Sequence, residues 1–175
     1  MRNAIRSAQK LVTVTYGFDF AEFVRISLLN RAKDENRNDF EAMERIFDAA
    51  SARKQAVIVT ARTDDGKGVA AVMIVWGGAN AYFWQSARDP SCGIGGVNAL
   101  RLWTSIELAG RMGLTFDFDS YGSVKSAKFL AGFGLPPLAR VEVSRQIASY
   151  PGKLFKLANG LLLRRARAAA DAVRR

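Results

Sequence analysis

Residues 56–87 read AVIVTARTDDGKGVAAVMIVWGGANAYFWQSA. Three runs in this stretch, Ala56–Thr63, Val69–Trp76 and Ala81–Ala87, are apolar and rich in β-branched or aromatic residues. Short runs of that composition, punctuated by glycine-bearing turns, read as strands. Asp64-Asp65-Gly66-Lys67-Gly68 joins the first pair and Gly77-Gly78-Ala79-Asn80 the second. Links this short return the chain beside itself, which predicts an antiparallel meander.

The pattern changes on both sides of the meander. Downstream, the loop RDPSCGIGG (Arg88–Gly96) leads to a helix over about Val97–Met112, with Leu100, Trp103, Ile106, Leu108 and Ala109 as apolar surface and Gly113 as its end. The next segment is again a strand: Leu114, Phe116 and Phe118 point to one face, Asp117 and Asp119 to the other. A hinge, Ser120-Tyr121-Gly122-Ser123, leads to a short helical run ending in Phe-Gly, and Arg140–Arg145 reads as a last strand after Pro136-Pro137. Upstream, Met1–Lys10 is a short basic helix or linker and Leu11–Thr15 is β-like. Asp19 caps a helix reaching about Lys33, and a second runs from Asp39 to Arg53 with Met43, Ile46, Phe47 and Ala50 on one face. Antiparallel strands passing into βαβ units predict an α/β domain with a mixed sheet covered by helices.

Composition narrows the chemistry. The chain has 175 residues, one cysteine (Cys92) and no histidine. That excludes an internal disulfide framework, Ser-His-Asp and Cys-His nucleophiles, and every His-containing zinc site. Carboxylates, Tyr, Lys, Cys, backbone amides or a bound cofactor must do the work. No apolar run reaches the ~18 residues of a membrane span, and MRNAIRSAQK lacks the apolar core of a signal peptide, so a cytoplasmic location is expected. The net charge of +10 is concentrated at one end: Tyr150–Arg175 carries seven basic side chains and one acidic. This tail reads as a solvated basic helix, a membrane-surface element or a nucleic-acid contact.

Two places could carry chemistry. Cys92-Gly93-Ile94-Gly95-Gly96 lies between a strand and a helix N-terminus, where free amides and the helix dipole favour an anion. It fits neither a dinucleotide fingerprint nor a Walker loop, which leaves a phosphate cradle or a flexible turn. Arg88 and Arg101 flank this loop; without a phosphate they and Arg62 are ordinary surface residues. Cys92 is a small loop residue with no histidine to activate it. Asp117 and Asp119 either face water on a half-buried strand or line a ligand site at a strand end, as proton acceptors. Tyr121 packs the hinge or donates a proton. Trp76, Trp84 and Trp103 read as core.

The segment AYFWQSARDPSCGIGGVNALRLWTSIELAGRMGLTFDFDSYGSVKSAKFLAGFG resembles the C-terminal half of FemAB/CelD-type acyltransferases, a cellulose-biosynthesis-type branch of the GNAT superfamily. The matching features are Ser86-Ala87-Arg88, the small-residue loop, Trp103 to Ile106, Gly113 to Phe118 and the Phe-Gly ending, with IRSAQK similar to the linker between two GNAT-like halves. The resemblance covers about Arg2 to Arg145. It implies a GNAT-like, mostly antiparallel mixed sheet flanked by helices, and acyl transfer from acetyl-CoA or another acyl-CoA to an amine or hydroxyl, with no metal. It also implies that the donor's pantetheine lies beside Ala81–Ser86, that its pyrophosphate meets Arg88, Cys92, Gly93, Gly95 and Gly96, and that Asp117 and Asp119 flank the acceptor cleft. Lys128-Phe129 stands where many GNAT enzymes place a tyrosine acid, so by this resemblance the acid is either missing or moved to Tyr121. The expected division is a linker helix and first strand over 1–18, a GNAT-like domain over 19–149 and a basic helical tail over 150–175. Such proteins have two tandem halves and this chain has room for one, so a homodimer, a missing N-terminal half or a degenerate copy are the readings. Aminoacyl-tRNA as donor, or a non-catalytic module binding membrane or RNA through the tail, are the alternatives.

Overall fold

The structure, a computed structural model, describes residues 1–29, 38–118 and 124–134. The last strand and the tail expected from the sequence lie outside these residues. The element order is α1 (Arg2–Ala8), β1 (Thr13–Gly17), α2 (Phe20–Leu29), α3 (Phe40–Ala52), β2 (Ala56–Arg62), β3 (Gly68–Gly77), β4 (Asn80–Arg88), α4 (Val97–Arg111), β5 (Thr115–Asp117) and α5 (Val124–Ala131).

The strands form one sheet in the order β1-β2-β3-β4-β5. The first four pair antiparallel and β5 pairs parallel to β4, so β4-α4-β5 is a βαβ unit appended to the meander. The fold is α/β, with a mostly antiparallel sheet flanked by helices.

The central strands are apolar throughout because both their faces are covered. Val57, Val59, Val72 and Ile74 cluster with Ala109 of α4 on one face. Ala56, Ile58, Ala71 and Met73 cluster with Phe20, Phe23 and Ile26 of α2 and with Met43 and Phe47 of α3 on the other. Period-two alternation thus sends each run of six or seven apolar residues to two cores. Ile5 and Ala8 of α1 join Val97 and Leu100 of α4 in a third cluster, so α1 is packed onto the domain.

Helix starts follow local capping. Asp19 Oδ1 accepts the Glu22 amide at 2.9 Å, and Asp39 Oδ1 accepts that of Ala42 at 2.9 Å. Two side chains read as core are surface: Ile46 is 55% exposed and Trp103 38%. Trp76 and Trp84 are half-buried, packed at the edges of two clusters. The stripe that α4 turns inward is Val97-Arg101-Ser105-Ala109, all buried at i,i+4 spacing, together with Ala99, Leu100 and Leu102. Small residues at two of its positions let α4 lie close to the sheet.

Candidate functional site: a strand fork closed by a helix N-terminus

β4 and β5 pair over three residues only, from Asn80↔Thr115 to Tyr82↔Asp117. β4 runs on to Arg88, paired with β3 on its inner side as far as Ala70↔Arg88. Among the described residues, nothing pairs with its outer edge from Phe83 onward. The cause is local. The β3–β4 register shifts between Met73, opposite Gln85, and Ile74, opposite Phe83, which leaves Trp84 as an extra residue. A bulge bends and twists its strand, and this one lies just beyond the last β5 pair. It also explains why Trp84 and Ala87, three residues apart, pack against the same core.

β4 ends where the glycine loop begins. Arg88 Nη2 donates to the Cys92 carbonyl at 2.9 Å, which ties the loop to the strand. Asp89, 3% exposed, accepts from the Ser91 amide at 2.9 Å and from its hydroxyl, and pairs with Lys67 Nζ at 3.1 Å. Those Ser91 hydrogen bonds, and then the Lys67 ammonium, hold the Asp89 carboxyl down at about 2. Alongside, a shallow depression of about 500 Å³ is bordered by Leu11, Lys67, Asp89, Ser91 and Cys92.

The three glycines differ. Gly93 and Gly95 are exposed, with open space where a side chain would stand. Gly96, the N-cap of α4, has φ +82°, and a Cβ there would overlap the Ala4 carbonyl of α1. α1 therefore walls one side of the loop, and only glycine fits beneath it. The N-cap is a glycine, so it contributes no side-chain cap, and the first-turn amides keep their capacity for an anion.

Behind the loop lies a buried cation. Arg101 is 5% exposed; its Nη1 donates to the Ala71 carbonyl of β3 and its Nε to Asn98 Oδ1 at 3.1 Å. Desolvation, and then the neighbouring Arg88 guanidinium, pull Arg101 down to about 9. Among the described residues, no carboxylate pairs with Arg88 or Arg101, and Arg88 Nε is buried without a partner. Arg62 is different: it is held by Glu22, the Thr15 hydroxyl and the Gly66 carbonyl on another part of the sheet, so it is tied down rather than free at the surface.

Of the residues singled out from sequence, Arg88, Cys92, Gly93, Gly95 and Gly96 come together at the N-terminus of α4. Asp117 stands half-buried at the fork, as the last residue of β5. Asp119 and Tyr121 lie outside the described residues. The burial of Arg101 and the role of Asp89 were missed. The i,i+4 spacing of Arg101 with Val97, Ser105 and Ala109 was the available signal for the first.

The family described as an acetyltransferase (GNAT) domain matches residues 1–124. No curated protein matches the sequence. Solved structures of the same fold include a Trypanosoma brucei acetyltransferase, with TM-score 0.56, 15% identity, and 77% of this chain and 99% of that one covered. A predicted acetyltransferase with acetyl-CoA from Clostridium acetobutylicum aligns with TM-score 0.60 at 11% identity, covering 80% of this chain and 99% of the other. An aminoglycoside acetyltransferase from an uncultured soil metagenomic sample, in complex with sisomicin, aligns with TM-score 0.55 at 12% identity, covering 81% and 97%. With the family match spanning well over half its length, the chain belongs to the GNAT acetyltransferase family and is an N-acetyltransferase-like enzyme.

Proposed function

We propose that this chain transfers an acyl group from acetyl-CoA or a longer acyl-CoA to an amine or hydroxyl acceptor, as a FemAB/CelD-type member of its family. The observation that carries the reading is the fork: a strand edge that, among the described residues, is left open from Phe83 to Arg88 and leads directly to a helix N-terminus capped only by Gly96. An extended pantetheine arm has the amides to pair with such an edge, and a pyrophosphate suits the amides of Gly93–Gly96 backed by Arg88.

In this reading Asp117, at the narrow end of the fork, accepts the proton of the attacking amine or hydroxyl, directly or through a water. Asp119, two residues on, shares that role, and Tyr121 supplies the proton taken up by the departing thiolate. β4 amides beyond Tyr82 polarise the acyl carbonyl, where fixed dipoles act most strongly on developing charge. An aminoacyl-tRNA donor and a paired second half remain readings that a donor titration separates from this one.

Isothermal titration with CoA and acetyl-CoA tests the proposal. Saturable binding near one per chain is expected, at roughly micromolar Kd. Gly95→Asp has room in the fold, so it tests the site without disturbing the packing. By placing a negative charge where the pyrophosphate would sit, it should weaken binding at least about ten-fold. Failure of the parent to bind either ligand removes the acyl-CoA reading.

A further inference from the structure

A second pocket, of about 240 Å³, opens at the end of the sheet where β1 and β3 finish and β2 begins. Tyr16, Phe18, Val57, Trp76 and Leu108 form its apolar walls. It is remote from the glycine loop. Trp76 pairs with Ala81 near the start of β4, and the loop leaves that strand at Arg88, roughly 20 Å further along an extended chain. Phe18 is 63% exposed and Tyr16 46%. Single exposed rings are ordinary, but two that share one cavity with Trp76 make a contiguous apolar surface of the kind that ligands cover.

The polar groups at its border say what kind of ligand fits. Lys54, just past the end of α3, borders the pocket, and among the described residues its ammonium has no partner. Ser51, in the last turn of α3, borders it too, and its hydroxyl is buried with no hydrogen bond among the described residues. The Tyr16 hydroxyl accepts from Arg111 Nη2 at 3.1 Å, so its own proton is left to donate. All three groups can donate, a second cation stands behind Tyr16, and none of the residues around the pocket is acidic. The carbonyls at the end of α3 do not oppose an anion strongly, because those of Ala50 and Ser51 already accept the Gln55 and Lys54 amides.

Lys54 also holds its place at a cost. Its φ of +57° is a left-handed conformation in which glycine is the usual residue. A side chain with a task in the pocket accounts for lysine there.

We propose that this pocket binds a small apolar carboxylate, an aryl or short-chain acid, with its body against the Tyr16, Phe18 and Trp76 rings and its carboxylate received by Lys54 Nζ and the Ser51 hydroxyl. The size agrees: a dry cavity of about 150 Å³ accepts benzene, so this one has room for a ring and a short acid arm. The site is independent of the acyl-CoA reading, since a chain that binds no CoA can still bind such an acid here.

Protein-observed NMR of the full chain, labelled with nitrogen-15, tests it with phenylacetate, phenylacetamide and phenethylamine as probes. The chain has three tryptophans, and Trp76→Phe identifies the Trp76 indole signal. Phenylacetate should shift that signal saturably, with Kd on the order of 0.1–1 mM for a ligand of this size. Lys54→Gly, which relieves the backbone, and Ser51→Ala, which removes an unpartnered hydroxyl, should both fold as well as the parent. Lys54→Gly should bind phenylacetate about ten-fold more weakly, and Ser51→Ala roughly three- to ten-fold. Phenylacetamide should bind the parent about as weakly as phenylacetate binds Lys54→Gly, and should not distinguish the two proteins.

No saturable shift of Trp76 with phenylacetate overturns the inference. So does parent-like affinity of Lys54→Gly, or binding of phenethylamine as tight as that of the acid, which would make the pocket a cation cage. A Trp76 signal that moves with protein concentration and not with phenylacetate also overturns it, and assigns the apolar surface to a second copy of the chain.

Discussion

Asp89 illustrates how one side chain holds the loop on which the candidate site depends. Its carboxylate accepts two hydrogen bonds from Ser91 and pairs with Lys67 of the β2–β3 turn, which holds it at about 2 against an ordinary value of 3.8. A carboxyl with a depressed folded value stabilises the protein fully above its unfolded value, and that stabilisation is lost as the pH falls toward the folded one. Asp89→Asn should therefore melt below the parent at neutral pH, and the gap should close between about pH 4 and 2. Melting curves of both proteins across that range are the check; a gap that stays constant down to pH 2 counts against the assignment. The role of Asp89 was not legible in the sequence, nor was the burial of Arg101, which the sequence placed only as a residue flanking the loop. An aspartate before proline reads as an ordinary loop residue, and an arginine in a helix reads as solvated unless its i,i+4 neighbours are weighed. The glycines were legible as a group, but not the difference between Gly95, which has space, and Gly96, which has α1 against it.

Among the elements, α3 ends in a motif that its sequence disguises. Lys54 has φ +57°, its amide bonds the Ser51 carbonyl at 2.8 Å, and the Gln55 amide bonds that of Ala50 at 2.9 Å. This is a Schellman end, with lysine where glycine is usual. α4 ends the same way, but with Gly113 at φ +70°. The left-handed conformation costs an L-residue about 1 kcal/mol, so Lys54→Gly should stabilise the protein by roughly that amount. Its melting temperature should rise by about 2–4 °C. Thermal unfolding measures it, and an unchanged or lower value would show that the Lys54 side chain contributes more than its backbone costs. The strands of the meander were legible to within one or two residues, because turn glycines and apolar runs are local signals. The bulge at Trp84 was not, since its evidence is the pairing register with another strand.

For the whole molecule, charge and site are separated along the chain. Every described part of the candidate site lies before Gly134, whereas Tyr150–Arg175 contributes six of the ten net positive charges. Each basic residue near an anionic membrane surface is worth about 1 kcal/mol, with strong screening by salt. Deleting residues 150–175 should leave the CoA titration unchanged and abolish salt-sensitive binding to anionic vesicles. Vesicle binding that survives the deletion would assign it to another surface; loss of CoA binding would make the tail part of the donor site. No helix among the described residues is long and apolar enough to cross a membrane.

By itself the sequence determined the class of fold and the chemistry excluded from it. Apolar periodicity, turn glycines and the absence of histidine are properties of neighbouring residues or of composition, and they hold before any packing is known. The loop of Cys92–Gly96 could also be located, because a glycine-rich link between strand and helix is a local feature. Only the tertiary structure decided that β4 and β5 part after Tyr82, that α1 closes over Gly96, and that Arg101 is buried beside Arg88 beneath the first turn of α4. Each of these depends on contacts between segments far apart in the chain. Their energies come from desolvation and register, which no single segment contains.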